Sequence, residues 1–175
     1  GAAIIAGTVA AAYTGLAVSV TGAIDKMDAI GKQSQKIGIP TEALSALSLA
    51  AATSDVSMEQ LGKTLGKLAK NLTEGAIKPS GEAAGAFKSI GLSAADMAKK
   101  LPQEQLLILA DKFAGITDPT AKAALALKLF GKTGVDLIPL LNMGRDGIQE
   151  MMDAAKNFGI VIDRDVAKAA ERYND

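Results

Sequence analysis

The sequence predicts an all-α protein: a long apolar N-terminal helix followed by an irregular array of short helices joined by Gly/N-cap turns. Three observations predict this class. Apolar residues recur at helical spacing in nearly every segment, and no segment alternates apolar and polar residues over the length of a strand. Ser, Thr and Asp stand where these segments begin, and glycine follows where they end. The first 24 residues contain no charged side chain.

The first predicted unit, residues 1–37, is one long helix from about Ala3 to Lys36 that becomes amphipathic after Asp25. Small residues at every fourth position form a helix-packing ridge: Ala3, Gly7, Ala11, Gly15, Ser19 and Ala23. Such a ridge lets another helix approach to backbone contact. The segment is also long enough to cross a bilayer, although its hydroxyl residues and glycines make it a mediocre spanning helix. This favours packing against protein, with lipid contact as a second state.

The second predicted unit, residues 38–175, is a multi-helix domain. It begins with helices over Thr41–Thr53 and Ser57–Leu72, the latter opened by a capping box of Ser57 and Gln60. The second helix carries a coiled-coil-like leucine seam: Leu61, Leu65, Leu68 and Leu72. A soft linker is predicted near residues 75–85, followed by a short helix that ends near Ile90.

The remaining helices are predicted from their start signals. Ser93 with Asp96 forms another capping box, and Pro102 and the Asp118-Pro119 pair mark two further starts. Thr133 is expected to cap the next helix, and Asp163 the last one. The predicted bounds between them are Gln103–Ala114, Thr120–Phe130, Val135–Asn142 and about Asp146 to Phe158.

Three glycines are predicted to stop helices: Gly38, Gly91 and Gly159. Each lies between apolar residues and is followed within a few residues by an expected N-cap, namely Thr41, Ser93 or Asp163. A left-handed glycine followed by an apolar residue is typical of the Schellman motif, so positive φ is expected at all three. The repeated stop-and-restart pattern predicts a folded-back helical array, and its uneven spacing argues against a solenoid repeat.

Composition excludes several classes of function. The 19 basic residues balance the 19 acidic residues, so specific nucleic-acid binding is not expected. The chain contains no Cys and no His, which removes disulfides, thiol nucleophiles, the usual zinc sites and Ser-His-Asp triads. We therefore expect no enzyme activity, no metal and no cofactor. An enzyme using two carboxylates in a cleft stays open as an alternative, because any two acids can meet in space.

The segment Gly131-Lys132-Thr133 matches the end of a phosphate-binding P-loop. The full motif requires glycine where this chain has Ala126, and it follows a β-strand, whereas Ala124–Phe130 has the pattern of an apolar helix. Gly131 as a helix C-cap and Thr133 as the next N-cap explain the same residues. The sequence therefore favours a helix junction over a nucleotide site.

Both ends of the sequence interrupt a pattern, since Gly1 lies within an apolar run and Asp175 within a helical pattern. The chain is therefore expected to be a segment of a longer polypeptide. No basic region precedes the apolar stretch, which argues against a signal peptide.

Recognisable motifs follow one another in a fixed order from Lys36 to Asp175. GIPTEAL and DVSMEQL resemble the turn patterns G-I/L-x-T-E-A-L and G/D-V-S-x-E-x-L, and AFKSIGLSAADM resembles A-F-x-x-L-G-L-S. The most distinctive block, ITDPTAKAALALKLFGKTGVDLIPLL, resembles I-x-D-P-x-x-K/R-A-A-x-A-x-x-L-F-G-K/R-x-G-x-x-L-I/L-P-L-L. In this order, and with the closing FGIVIDRDVAKAAERYND, the motifs resemble those of phage tail tape measure proteins, whereas residues 1–35 are not specified by the family pattern.

The resemblance implies a structural role in the virion. A few copies of a long helical chain occupy the tail tube, set its length, and later leave it to help the genome cross the host envelope. The implied partners are other copies of the chain, tail tube and tail tip proteins, and the host membrane during ejection. The implied location is the tail tube, after assembly in the host cytoplasm. A membrane-active helical pore-forming protein is the alternative, because it shares the apolar first helix.

Overall fold

The computed structural model describes residues 20–159, 161–162 and 164–174, and within these ranges the chain is helical with no β-strand. The all-α class predicted from the sequence is therefore confirmed. The described part contains ten α-helices and a 3₁₀-helix over Lys132–Leu137. The α-helices are α1 (Val20–Ile37), α2 (Thr41–Thr53), α3 (Met58–Ile77), α4 (Glu82–Lys88), α5 (Ala94–Ala98), α6 (Pro102–Ala114), α7 (Pro119–Phe130), α8 (Ile138–Leu141), α9 (Gly144–Asn157) and α10 (Arg164–Asn174).

The N-terminal helix is described only from Val20 onward, as α1. Of the predicted ridge, Ala23 falls within α1. The other members lie outside the described residues: Ala3, Gly7, Ala11, Gly15 and Ser19. Among the helices that the structure describes, none combines the length and the apolar character needed to cross a membrane. The long apolar helix over residues 1–37 thus stays a prediction, and what is observed is its amphipathic second half.

Helix α2 has the predicted bounds, but its N-cap is Pro40 and not Thr41. Pro40 has φ −53° and ψ 140°, the extended backbone that precedes a helix, so the chain turns one residue earlier than expected. The Thr41 hydroxyl is turned inward, where its Oγ1 lies 3.2 Å from Ser34 Oγ on α1. The predicted cap residue therefore ties α1 to α2.

Helix α3 begins with the predicted capping box. The Gln60 N–H donates to Ser57 Oγ at 3.1 Å, and the Ser57 N–H donates to Gln60 Oε1 at 2.9 Å. The helix continues past Leu72 to Ile77, and the turn before α4 is confined to residues 78–81. Gly75, at the start of the predicted soft linker, is a tight helix contact, because a Cβ there would lie 2.8 Å from Ala94 Cβ.

The leucine seam faces the interior of the chain's own domain. Its four leucines, Leu61, Leu65, Leu68 and Leu72, are at most 4% exposed. Helix α3 contacts α1, α4, α5, α7 and the 3₁₀-helix, so these side chains meet several neighbouring helices and no single parallel partner. Helix α9 packs on α2 and α6, and Phe113 of α6 contacts Phe130 of α7 with ring centroids 5.9 Å apart.

The predicted starts of α6 and α7 are confirmed. Pro102 and Pro119 occupy the first turns, and the Thr120 N–H donates to Asp118 Oδ1 at 2.9 Å. The predicted helix over Val135–Asn142 with Thr133 as its cap is wrong. Thr133 lies inside the 3₁₀-helix, and only Ile138–Leu141 is α-helical.

The reason is the close packing of this turn. A Cβ at Gly134 would overlap the Ala126 carbonyl oxygen and lie 2.8 Å from Phe130 Cβ. The Gly134 N–H donates to the Gly131 carbonyl at 2.9 Å, the spacing of a 3₁₀ turn. Glycine at position 134 thus allows the 3₁₀-helix to pack directly against α7.

Candidate functional site: the α1–α10 helix pair

The helix-stop glycines have the predicted conformation. Their φ angles are +69° at Gly38, +72° at Gly91 and +67° at Gly159. At Gly91 the bonding is that of a Schellman motif, with the Leu92 N–H donating to the Phe87 carbonyl. At Gly38 a single bond from its N–H to the Ser34 carbonyl gives the simpler αL motif.

Helices α1 and α10 meet through small residues. A Cβ built on Gly31 would lie 3.2 Å from Ala167 Cβ, and Ala167 is only 4% exposed. The small residues therefore let the two helices approach more closely than an ordinary side-chain contact would. Helix α1 also rests on α3, where the absence of a side chain at Gly62 leaves room for the Gln33 side chain. The predicted cap of α10, Asp163, lies outside the described residues.

The two helices run antiparallel. The Arg164 N–H, at the start of α10, donates to Glu42 Oε1 at 3.2 Å, so α10 begins beside the first turn of α2 and hence near the end of α1. One turn later Ala167 lies against Gly31, which is about one and a half turns before the end of α1. As α10 proceeds it therefore approaches the beginning of α1.

A corner of buried hydroxyls fixes this arrangement. Ser34 Oγ donates to the Ile39 carbonyl at 2.6 Å, which holds the turn between α1 and α2. Ser45 Oγ, which is fully buried, accepts from the Ile162 N–H at 3.0 Å. The segment before α10 is thereby tied to α2, some 117 residues away in sequence.

A cavity of about 450 Å³ opens between the helices at this corner. Its lining carries charges of both signs, from Asp28 and Lys32 on α1 and from Arg164, Lys168 and Glu171 on α10. The Lys32 ammonium lies 2.9 Å from Asp28 Oδ2. No group of three carboxylate or imidazole residues able to hold a metal ion occurs among the described residues. The cavity therefore has the character of a polar groove between two helices.

A second groove of about 620 Å³ lies between α2, α6 and α9. Leu107 and Met152 contribute apolar surface, and its charged residues again have both signs: Glu42, Lys100, Glu104, Arg145 and Lys156. Glu104 accepts from the Leu101 N–H and Glu42 from the Arg164 N–H, so both carboxylates serve helix starts. These two contacts therefore stabilise the fold at the starts of α6 and α10.

Two surface carboxyls have perturbed pKa values. The Lys63 ammonium, through its hydrogen bond and charge, lowers the pKa of Glu59. A hydrogen bond from Lys99, with a further one from Ser93, lowers the pKa of Asp96. Both carboxyls are fully exposed and lie on the surfaces of α3 and α5, outside both grooves. Their perturbation reflects ordinary ion pairs one helical turn apart.

The Gly131-Lys132-Thr133 segment is a helix junction. The helix predicted over Ala124–Phe130 is confirmed as part of α7, and Gly131 follows it with φ +80°. A Cβ at Gly131 would lie 3.3 Å from Lys67 Cγ, so the turn is packed against α3. This backbone follows a helix, whereas the P-loop follows a strand.

Two buried side-chain amides, Asn71 and Gln105, were not predicted from the sequence to be structurally important. Asn71 Nδ2 donates to the Lys128 and Leu129 carbonyls, each at 2.9 Å, at the end of α7. Gln105 Nε2 donates to the Met97 and Lys100 carbonyls at 3.1 and 2.9 Å, at the end of α5. A polar residue within the apolar face of a helix, as Asn71 is between Leu68 and Leu72, is the signal that marks such a group.

The described helices thus define an all-α, turn-rich domain in which the conspicuous glycines, amides and hydroxyls serve helix ends and helix contacts. No protein-family model, curated protein or solved structure matches the chain.

Proposed function

We propose that the chain is a structural segment of a phage or prophage tail tape measure protein and not an enzyme. The ordered series of motifs between Lys36 and Asp175 is the basis of the proposal. The parent chain would set the length of the tail tube and assist genome ejection. Its helices suit a ruler, because an α-helix converts residues into length at about 1.5 Å each.

The block from Asp118 to Leu141 is the observation that carries the proposal. In the structure four distinctive residues of this block have architectural tasks. Asp118 caps α7, Pro119 occupies its first turn, Gly131 ends it with positive φ, and Gly134 allows the 3₁₀-helix to contact it. A motif in which these four residues serve folding supports a role that depends on shape and not on a reacting group.

The partners follow from the proposed role. Other copies of the chain would pack on the small-residue ridge, and tail tube and tail tip proteins would surround them. The chain would lie inside the tail tube of the virion after assembly in the host cytoplasm, and residues 1–24 would contact the host membrane during ejection. Its zero net charge fits a protein without specific nucleic-acid binding.

The test is to delete about 155 helical residues from a region of the parent gene outside this segment and to measure tail length by electron microscopy. At the helical rise the tails become shorter by about 230 Å, in whole tube rings. A variant with substitutions in that region but no change in its length is the control, and its tails keep the original length. Assembled tails of unchanged length in the deletion variant contradict the proposal.

A membrane-active pore former is the second candidate, favoured by the absence of charge from the first 24 residues. Leakage of a dye from liposomes by the 1–37 peptide and by the whole chain tests it. Gly15→Lys, which places a charge in the apolar run, is the matched control and should abolish leakage. Dye leakage, together with tails whose length is unchanged in the deletion variant, would establish this candidate in place of the tape measure.

A further inference from the structure

We propose that residues 20–174 form a folded-back side domain that adds almost no length to the ruler. This inference rests on the proposed function and concerns how much length the segment contributes to the proposed tape measure chain. Its basis is the antiparallel α1–α10 pair, which brings the point where the chain enters the domain next to the point where it leaves.

The distance between these two points follows from the contact of Gly31 with Ala167. Val20 lies about 16 Å along α1 from Gly31, and Asn174 lies about 10 Å along α10 from Ala167, in the same direction. The two ends are therefore offset by about 6 Å along the pair, and packed helices are separated by about 8–10 Å. The chain thus advances by only about 10–12 Å. As one continuous helix the same segment of about 155 residues would span about 230 Å.

The folded-back path is held by more than one contact. The Arg164 N–H bonds Glu42, and the Ile162 N–H bonds the buried Ser45 hydroxyl. The part of the sequence between α1 and α10 contains the main hydrophobic cluster of the described chain, whose buried residues extend from Ile39 to Ala155. Opening the domain into a rod would expose this cluster, including Phe87, Phe113 and Phe130, each at most 1% exposed.

The first experiment compares two deletions of equal size. One removes residues 20–174 and joins the flanks by a short Gly/Ser linker, and the other removes about 155 helical residues elsewhere in the parent chain. The inference predicts tails of unchanged length for the first and tails shortened by about 230 Å for the second. Shortening in both overturns the inference and leaves the tape measure role intact. Shortening in neither contradicts the tape measure role itself.

A disulfide tests the same arrangement in the full-length chain, where assembly does not depend on a deletion. The sequence has no cysteine, and the Cβ separation of 3.2 Å at Gly31 and Ala167 is close to the 3.5–4.5 Å of disulfides. Gly31→Cys with Ala167→Cys should cross-link in oxidised virions and alter migration on a non-reducing gel. Gly66→Cys with Ala167→Cys is the control, since a Cβ at Gly66 would meet no atom of another helix within 4 Å.

The outcomes of the disulfide experiment are distinct. A cross-link in virions, with none in the control pair, supports the folded-back domain whether or not the deletion variant assembles. A cross-link in the soluble chain but not in virions overturns the inference, because it shows that the domain opens in the tube. Failure to cross-link in the soluble chain overturns the antiparallel pairing itself.

Discussion

Replacing Gly134 by alanine should destabilise the domain strongly, although the change adds a single methyl group. The new Cβ would overlap the Ala126 carbonyl oxygen and lie 2.8 Å from Phe130 Cβ and 2.9 Å from the Ala126 carbonyl carbon. Two of these three atoms belong to the backbone of α7, so they cannot move aside individually. The turn must therefore separate from α7, next to the contact between Phe130 and Phe113.

The expected magnitude is about 3 kcal/mol, the upper part of the usual range of about 1–3 kcal/mol for overpacking a core. At about 2–4 °C per kcal/mol for a chain of this size, the unfolding midpoint should fall by about 6–12 °C. Gly66→Ala is the matched control. It lies on the exposed side of α3 with no neighbour within 4 Å, so the gain in helix propensity should raise stability by about 1 kcal/mol.

Thermal and urea unfolding followed by circular dichroism at 222 nm measure both variants on the 175-residue chain. The two alanines should move the midpoint in opposite directions. A Gly134→Ala protein as stable as the unmodified chain would refute the packing argument. It would also remove the structural explanation for the glycine that follows Gly131-Lys132-Thr133.

Three further predictions use the same unfolding assay. Asn71→Ala should cost about 2 kcal/mol, because it leaves two carbonyls at the end of α7, one of them in a buried hydrogen bond, without their donor. Thr73→Ala on the exposed side of α3 is the control and should change stability by less than about 0.5 kcal/mol. Ser57→Ala should cost about 1 kcal/mol through loss of the α3 N-cap, and equal stability would contradict the capping box. The unfolding midpoint should be flat between about pH 5.5 and 8.5, because the chain has no histidine. The midpoint should fall below about pH 4.5, because the pKa values of Glu59 and Asp96 are lowered in the folded state. The stability that these two carboxylates contribute is present above their unfolded pKa values and is lost as the pH falls. A step in the midpoint near pH 6.5 would contradict this expectation.

Local signals predicted much of the described fold. Helix starts at Ser57, Pro102 and Asp118 depend on residues a few positions apart, so sequence spacing suffices to find them. The positive φ of Gly91 is likewise encoded by its immediate neighbours. One error arose where packing between neighbouring helices matters. Gly134 lies against the preceding helix α7, and the segment after Thr133 is a 3₁₀-helix where an α-helix was expected.

The candidate site was less accessible to sequence reasoning. The packing of α10 on α1 and α2 joins segments more than 120 residues apart, through Gly31 with Ala167 and Glu42 with Arg164. Glycine and alanine recur throughout the chain, so neither marks its partner. The leucine seam of α3 was recognised as an apolar surface, but its spacing alone does not distinguish the domain's own core from contact with a second chain.

The adjacent ends of α1 and α10 also determine how the domain would respond to tension. A force that pulls the two ends of the described chain apart acts across the helix pair at its open end. It would separate the helices one turn at a time, reaching the contact of Gly31 with Ala167 before the Glu42–Arg164 and Ser45–Ile162 bonds. Peeling loads few contacts at once, whereas sliding the helices along each other would load all of them together. The pair should therefore yield at low force, and the hydrophobic cluster between Ile39 and Ala155 should unfold as a separate, later event.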